Sequence, residues 1–161
     1  MNLTFTIPGE PTAQGRPRFS THGGFVKAYD PEKSRNYKAY VKLLASEAMQ
    51  NIGLTLTELP LGVEIIADVG IPASKSKKFK EQALNGLQLP IKKPDVDNVA
   101  KIILDSISGI VYKDDKQIVK LTVLKKYSDI PKVEVKFYNV EPSNTSRLHD
   151  VCAGSKNFKK H

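Results

Sequence analysis

Two stretches hold the side chains with chemistry in them. The first is Lys92-Lys93-Pro94-Asp95-Val96-Asp97-Asn98-Val99-Ala100-Lys101-Ile102-Ile103-Leu104-Asp105, and the second is Lys113-Asp114-Asp115-Lys116-Gln117. Asp95 and Asp97 are two apart, so on extended backbone their side chains share a face. Carboxylates that converge at close range need a cation between them to stay charged. A hard divalent ion such as Mg²⁺ takes one or two carboxylates, waters and substrate phosphate. A lysine beside such a site can neutralise a phosphate or a developing oxyanion. Ions, an activated water and a positive group together are what metal-assisted phosphodiester hydrolysis requires. The acids and lysines of these two stretches are the candidates for such chemistry.

Each of these residues alone has a plainer reading. An aspartate at a helix start caps free N–H groups and suits the helix dipole. Asp97 and Lys101 can be a surface i,i+4 pair, and Asp114-Asp115 an ordinary turn. Taken together, Asp95, Asp97, Lys101 and Asp115 favour function, largely through the family resemblance of the stretches that carry them.

A helix is the element that would hold most of them. Pro94 disfavours helix before it. Val96, Val99, Ile103, Ile107 and Ile110 then recur at helical spacing and mark a buried stripe. Asp97, Lys101, Asp105 and Ser108 fall on the opposite line, and Gly109 is a natural stop. The run Ile118–Tyr127 reads as a strand whose start brings Asp115 toward Asp95 and Asp97 if the strand packs beside the helix start.

The run Lys93-Pro94-Asp95-Val96-Asp97-Asn98, with Lys101, Leu104-Asp105 and Tyr112 to Val119, resembles the signature of the RusA family of Holliday junction resolvases. Phe5 to Pro11, Arg16-Pro17-Arg18-Phe19, Tyr29-Asp30-Pro31 and Pro72 to Lys78 are similar to the same family's phage-type members, so the resemblance spans about residues 3–140. It implies that the family's metal-binding acids fall on Asp95, Asp97 and Asp115 and its catalytic lysine on Lys101. Asp105 and Asp114 sit beside family acids of less certain role. It further implies a homodimer, Mg²⁺ dependence, branched four-way DNA as partner, and paired nicks leaving 5′-phosphate ends.

Composition agrees without being specific. The chain of 161 residues has a formal charge of +8 and a pI near 9.5, which favours an anionic partner, nucleic acid before membrane. Cys152 is the only cysteine, which excludes an intrachain disulfide and a cysteine zinc cluster. His22, His149 and His161 have no metal-ligand spacing. No segment approaches the apolar length of a membrane span and the start lacks signal-peptide character, so a cytoplasmic protein is expected.

The remaining elements frame the site. Leu3, Phe5 and Ile7 alternate with threonines as a strand. Residues 12–24 read as a loop or irregular hairpin carrying Arg16 and Arg18, with Gly23-Gly24 as a turn before a short strand at 25–29. Arg16 and Arg18 are suited to bidentate phosphate contact. Asp30 is expected to cap a helix with Pro31 at its first position, its apolar face running through Tyr37, Tyr40, Val41, Leu44, Ala48 and Ile52 to Gly53. Leu61–Val69 reads as an inner strand, with Asp68 a polar residue near its end. Ser74 or Ser76 is expected to cap a short helix to about Leu84. Lys75, Lys77 and Lys78, with Lys92 and Lys93, form the candidate DNA-binding patch beside Arg16 and Arg18. Residues 132–137 alternate as a last strand. The expected fold is α/β (α+β): one domain over 1–140 with a mixed sheet of about five strands and two main helices, and a flexible tail over 141–161. Two alternatives stay open, a catalytically inactive DNA-binding protein of this fold and a basic protein-interaction module.

Overall fold

The computed structural model describes residues 1–22 and 25–141. The Gly23-Gly24 turn and the reading of 141–161 as a tail, beyond its first residue, lie outside the described residues. The fold is mixed α+β. A four-stranded sheet is made of β1 (Asn2–Pro8), β4 (Leu61–Gly70), β5 (Ile118–Ser128) and β6 (Lys132–Asn139), and β2 (Arg18–His22) pairs with β3 (Phe25–Tyr29) as a separate hairpin. Among the described residues the helices are α1 (Glu32–Asn51), α2 (Lys77–Leu84) and α3 (Val96–Ile107), with a 3₁₀ turn at Asp115–Gln117. The expected mixed fold of about five strands and two main helices, with a short third helix, is what forms; among the described residues the one additional strand is β2, which begins at Arg18 and pairs with the expected strand at 25–29.

The sheet order is β1-β6-β4-β5. β1 and β4 each run antiparallel to β6, while β4 and β5 are parallel. Parallel neighbours need a long crossover. Here the crossover between β4 and β5 contains α2, α3 and every candidate catalytic residue.

Strand alternation sets the core. Leu3, Phe5 and Ile7 face Phe137, Val135 and Val133 in register, and Val63, Ile65 and Ala67 continue the layer. Helices α1 and α3 pack on each other, α1 also on β1 and α3 on β5. Val41, Ala45 and Met49 come from α1, and Val99, Ile102, Ile103 and Ile107 from α3. Each large aliphatic side chain among these contributes about 1.5–3 kcal/mol by leaving water. The opposite sheet face is wet, with Thr4, Lys136, Glu64 and Thr122 in one row.

Two local expectations give way. Asp30 does not cap α1; Pro31 occupies the cap position, and the Asp30 carboxylate instead accepts from Gln14 Nε2 and Lys38 Nζ, each at 2.9 Å. A charged donor is a stronger partner than a backbone N–H. Along α1, Tyr40 and Ile52 stay largely exposed, and Ala45 and Met49 take the core positions. Ser76, by contrast, caps α2 as expected, accepting from Phe79 N at 3.3 Å.

Candidate active site

The buried stripe of α3 decides which residues reach solvent. With Val99, Ala100, Ile102, Ile103 and Ile107 turned inward, Asp97, Lys101 and Asp105 are left on the exposed line. Val96 departs from the expected stripe. At the first helical position it overhangs the edge of the core and is 42% exposed.

Asp95 occupies the N-cap position of α3 yet makes no side-chain cap hydrogen bond. Asp97, in the first turn, has no hydrogen-bond or ion-pair partner among the described residues. Asp95 is therefore not a hydrogen-bonding cap, while Asp97 keeps the first-turn position that suits the helix dipole. Among the described residues neither carboxylate has a hydrogen-bond or ion-pair partner.

Asp115 arrives from the other direction. The 3₁₀ turn that carries it is fixed by a capping box. Asp114 accepts from Lys116 N at 3.0 Å, and Gln117 Oε1 accepts from the backbone N–H groups of Lys113 and Asp114, each at 2.8 Å. The accepted backbone bond and the Lys116 charge hold the Asp114 carboxyl below its usual range. Gln117 Nε2 donates to the carbonyls of Thr57 at 2.9 Å and Leu59 at 3.2 Å, tying the turn to the segment before β4.

Behind Asp115 lies Tyr112, wholly buried and packed on Phe137 with ring centres 6.1 Å apart. Its hydroxyl is 2.9 Å from Asp115 Oδ1 and 3.0 Å from the Leu104 carbonyl, so one proton serves two acceptors. Burial pushes the Tyr112 hydroxyl far above its ordinary range, and the Asp115 carboxylate pushes the same way. Tyr112 stays a donor at any ordinary pH.

This contact places Asp115 beside the C-terminal half of α3. Seven residues separate Asp97 from Leu104, about 10 Å along a helix axis. Where the sequence expectation gathers Asp115, Asp95 and Asp97 at the helix start, the three acids are divided between two clefts. A cleft of about 580 Å³ is lined by Asp97, Lys101, Asp105 and Asp115 around a floor of Ala100, Leu104, Ile118, Leu121 and Val123. Asp95 opens instead into another cleft, of about 680 Å³, with Arg16, Lys33, Lys93 and Asn98. Among the described residues, no three His, Cys, Asp or Glu side chains converge tightly enough to cage a metal by themselves. Mg²⁺ does not need such a cage, since it keeps waters and takes substrate phosphate as ligand. Asp97 and Asp115 supply hard oxygen donors of the kind a divalent cation takes.

Asp105 is less free than its neighbours. Lys38 Nζ lies 3.4 Å from its carboxylate and 2.9 Å from that of Asp30. Through Gln14, whose backbone N–H donates to Asn98 O at 3.0 Å, this network joins the segment before Arg16 to α1 and α3. Gly15 makes the approach possible. A Cβ there would sit 2.9 Å from Ser34 Oγ and 3.0 Å from the Pro31 ring.

The basic candidates surround these clefts. Arg16 shares the wall with Lys93, and Arg18 begins β2, next to Phe19, which is exposed. Lys77 and Lys78 open α2, and Lys75 lies 4.6 Å over the Phe79 ring. Lys92 is held by its backbone, because Lys125 Nζ donates to the carbonyls of Lys92 at 2.6 Å and Pro94 at 2.9 Å. Lys125 is a positioning residue that sequence alone does not separate from the other strand lysines. Tyr112 and Gln117 likewise stand in the family-like run without a role of their own until the fold supplies one. The one cue to Lys125 is that it falls on the inward face of β5, opposite Ala67. Asp68, the polar residue expected near the end of this strand, is buried on β4 with Lys126 Nζ at 3.6 Å, a strand-end ion pair.

Among the described residues no helix is long and apolar enough to cross a membrane. The family model described as "Endodeoxyribonuclease RusA" matches residues 8–138. A curated relative from Bacillus subtilis (strain 168), "Uncharacterized protein YqaN", is 44% identical over 133 residues, which is 83% of this chain and 93% of that protein.

Proposed function

The chain belongs to the RusA endodeoxyribonuclease family, and from that membership we propose that it is a Mg²⁺-dependent nuclease that resolves four-way DNA junctions by paired nicks leaving 5′-phosphate ends. The observation that supports this reading most is the shared cleft of Asp97, Lys101 and Asp115. Beside it, Asp95 stands at a helix start without capping it.

Asp95, Asp97 and Asp115 are the residues that would hold the metal. When bound, a divalent cation supplies a water of lowered pKa and neutralises charge on the phosphate. The chain's own groups do the rest. Lys101 presents its ammonium along the same helix face, where it stabilises charge developing on the phosphate oxygens. Tyr112 fixes one oxygen of Asp115 and leaves the other for the cleft. Lys125 holds the Lys92 and Pro94 carbonyls, and with them the approach to Asp95. Arg16, Arg18, Lys75, Lys77, Lys78, Lys92 and Lys93 grip the flanking phosphates, giving affinity rather than sequence choice. A homodimer matches the two-fold symmetry of a junction and puts one such site on each of two opposed strands.

The test is to titrate Mg²⁺ into wild-type protein with a labelled four-way junction and a linear duplex of the same sequence. Metal-dependent symmetric nicks in the junction support the proposal. Binding without nicks indicates an inactive DNA-binding relative. Neither binding nor nicking indicates an interaction module.

A further inference from the structure

Between α2 and α3 the usual burial rule is inverted. Leu84 is 54% exposed, Leu87 72%, Leu89 59% and Ile91 93%, while Pro90 between the last two is buried. From Leu87 to Ile91 the aliphatic side chains alternate outward with Gln88 and Pro90 turned in, as on an extended segment. Exposed aliphatic residues grouped like this mark a contact surface.

The segment is also built, not loose. The N–H of Leu87 donates to Gln82 O at 2.9 Å and that of Gly86 to Ala83 O at 3.1 Å, closing α2 over the buried Ala83. Gln88 Nε2 donates to Gln82 Oε1 at 3.4 Å. At the far end Lys125 fixes the Lys92 and Pro94 carbonyls. A ridge of three large aliphatic side chains is thus held at both ends and pushed into water.

Its surroundings choose the occupant. From Ser74 to Lys93 there are six lysines and one acid, Glu81. Packing this patch on a second copy of itself would oppose like charges, whereas a polyanion satisfies both its lysines and its apolar crest. The ridge runs directly into the site, since Ile91 is four residues from Asp95. Four residues of chain reach at most about 14 Å, or about four base steps. Apolar side chains next to phosphate-binding lysines unstack DNA by inserting between bases. At a branch point the bases are already the least well stacked.

We propose that Leu87, Leu89 and Ile91 form an apolar wedge that enters the branch point of bound DNA and props its bases apart beside the cutting site. This rests on the junction-nuclease reading and adds to it the device that selects branched over linear DNA. A uniform duplex offers the lysines the same phosphates but no opening for the wedge.

The test uses the full chain and a four-way junction carrying 2-aminopurine at its branch point, whose fluorescence rises when the base unstacks. The variants are Ile91→Ser and the triple Leu87→Ser/Leu89→Ser/Ile91→Ser; because these side chains lie in water, folding is expected to survive, and circular dichroism checks it. In EDTA, wild type is expected to raise the fluorescence and the triple variant to leave it flat, while duplex affinity stays within about twofold. With Mg²⁺, junction nicking by the triple variant falls by about tenfold or more, and Ile91→Ser falls between. Unchanged fluorescence and nicking in the triple variant overturn the wedge. So does a change in its sedimentation, which would make the ridge an interface between copies. If wild type nicks junctions without any fluorescence rise, the wedge fails and the nuclease reading stands. If wild type neither binds nor nicks junctions, both fail.

Discussion

The hydroxyl of Tyr112 lies 2.9 Å from Asp115 Oδ1, so the exposed acid of the 3₁₀ turn is positioned from the hydrophobic core. Removing the hydroxyl alone separates positioning from packing. Tyr112→Phe keeps the ring against Phe137, and the missing hydrogen bond costs about 1 kcal/mol. Nicking is expected to fall by about tenfold, with a higher Mg²⁺ concentration needed for half-maximal rate. Metal titrations of both proteins, with thermal melts as control, check this.

The same residue sets an alkaline limit. The folded-state pKa of Tyr112 is raised above the unfolded value, first by burial and then by Asp115. A raised pKa means that the folded state keeps its proton where the unfolded state loses it. This contribution to stability is complete below about pH 10, the ordinary tyrosine value, and is lost as pH rises above it. Urea melts between about pH 8 and 11 should show stability falling above about pH 10, with a shallower fall for Tyr112→Phe.

Gln117 joins two segments through one amide. Its Oε1 accepts two backbone N–H groups and its Nε2 donates to the carbonyls of Thr57 and Leu59. Gln117→Ala leaves these groups to find water and is expected to cost about 1–3 kcal/mol. Nicking should fall with it because Asp115 rides on the same turn. Denaturant melts and a rate assay give the two numbers. An unchanged melt with a reduced rate would show that the amide acts on the site alone.

Phosphate binding has a signature in salt. Replacing Lys75, Lys77 and Lys78 together by Gln should weaken binding to linear and branched DNA alike. The slope of log K against log salt is expected to become shallower by about 0.9 for each phosphate no longer neutralised. Affinities measured across a salt series give the slope. Weakening confined to junctions would place these lysines at the branch point instead.

Much of this was legible in the order of residues. The α3 stripe of Val99, Ile103 and Ile107, the Ser76 cap and the alternating Leu3, Phe5, Ile7 follow from local periodicity, and all three form as expected. The helix-side line of Asp97, Lys101 and Asp105 follows from the same count. What was not legible depends on partners distant in sequence. Asp30 abandons a cap for Lys38 and Gln14 because tertiary packing brings a charge to it. Asp115 is tied to Leu104, eleven residues away, through the hydroxyl of Tyr112, a link that no local pattern announces. No local signal distinguishes Lys125 from the lysines around it until its strand is paired with β4.

The most direct measurement compares wild type with Asp97→Asn on a labelled four-way junction, with Mg²⁺ and with EDTA. The substitution keeps the shape of an exposed side chain and removes only its charge, so melting and junction binding should be unchanged. The expected result is symmetric Mg²⁺-dependent nicks by wild type and a reduction of about 100-fold or more in the variant. Equal nicking by Asp97→Asn, or nicking by wild type in EDTA, would contradict a metal site at the start of α3.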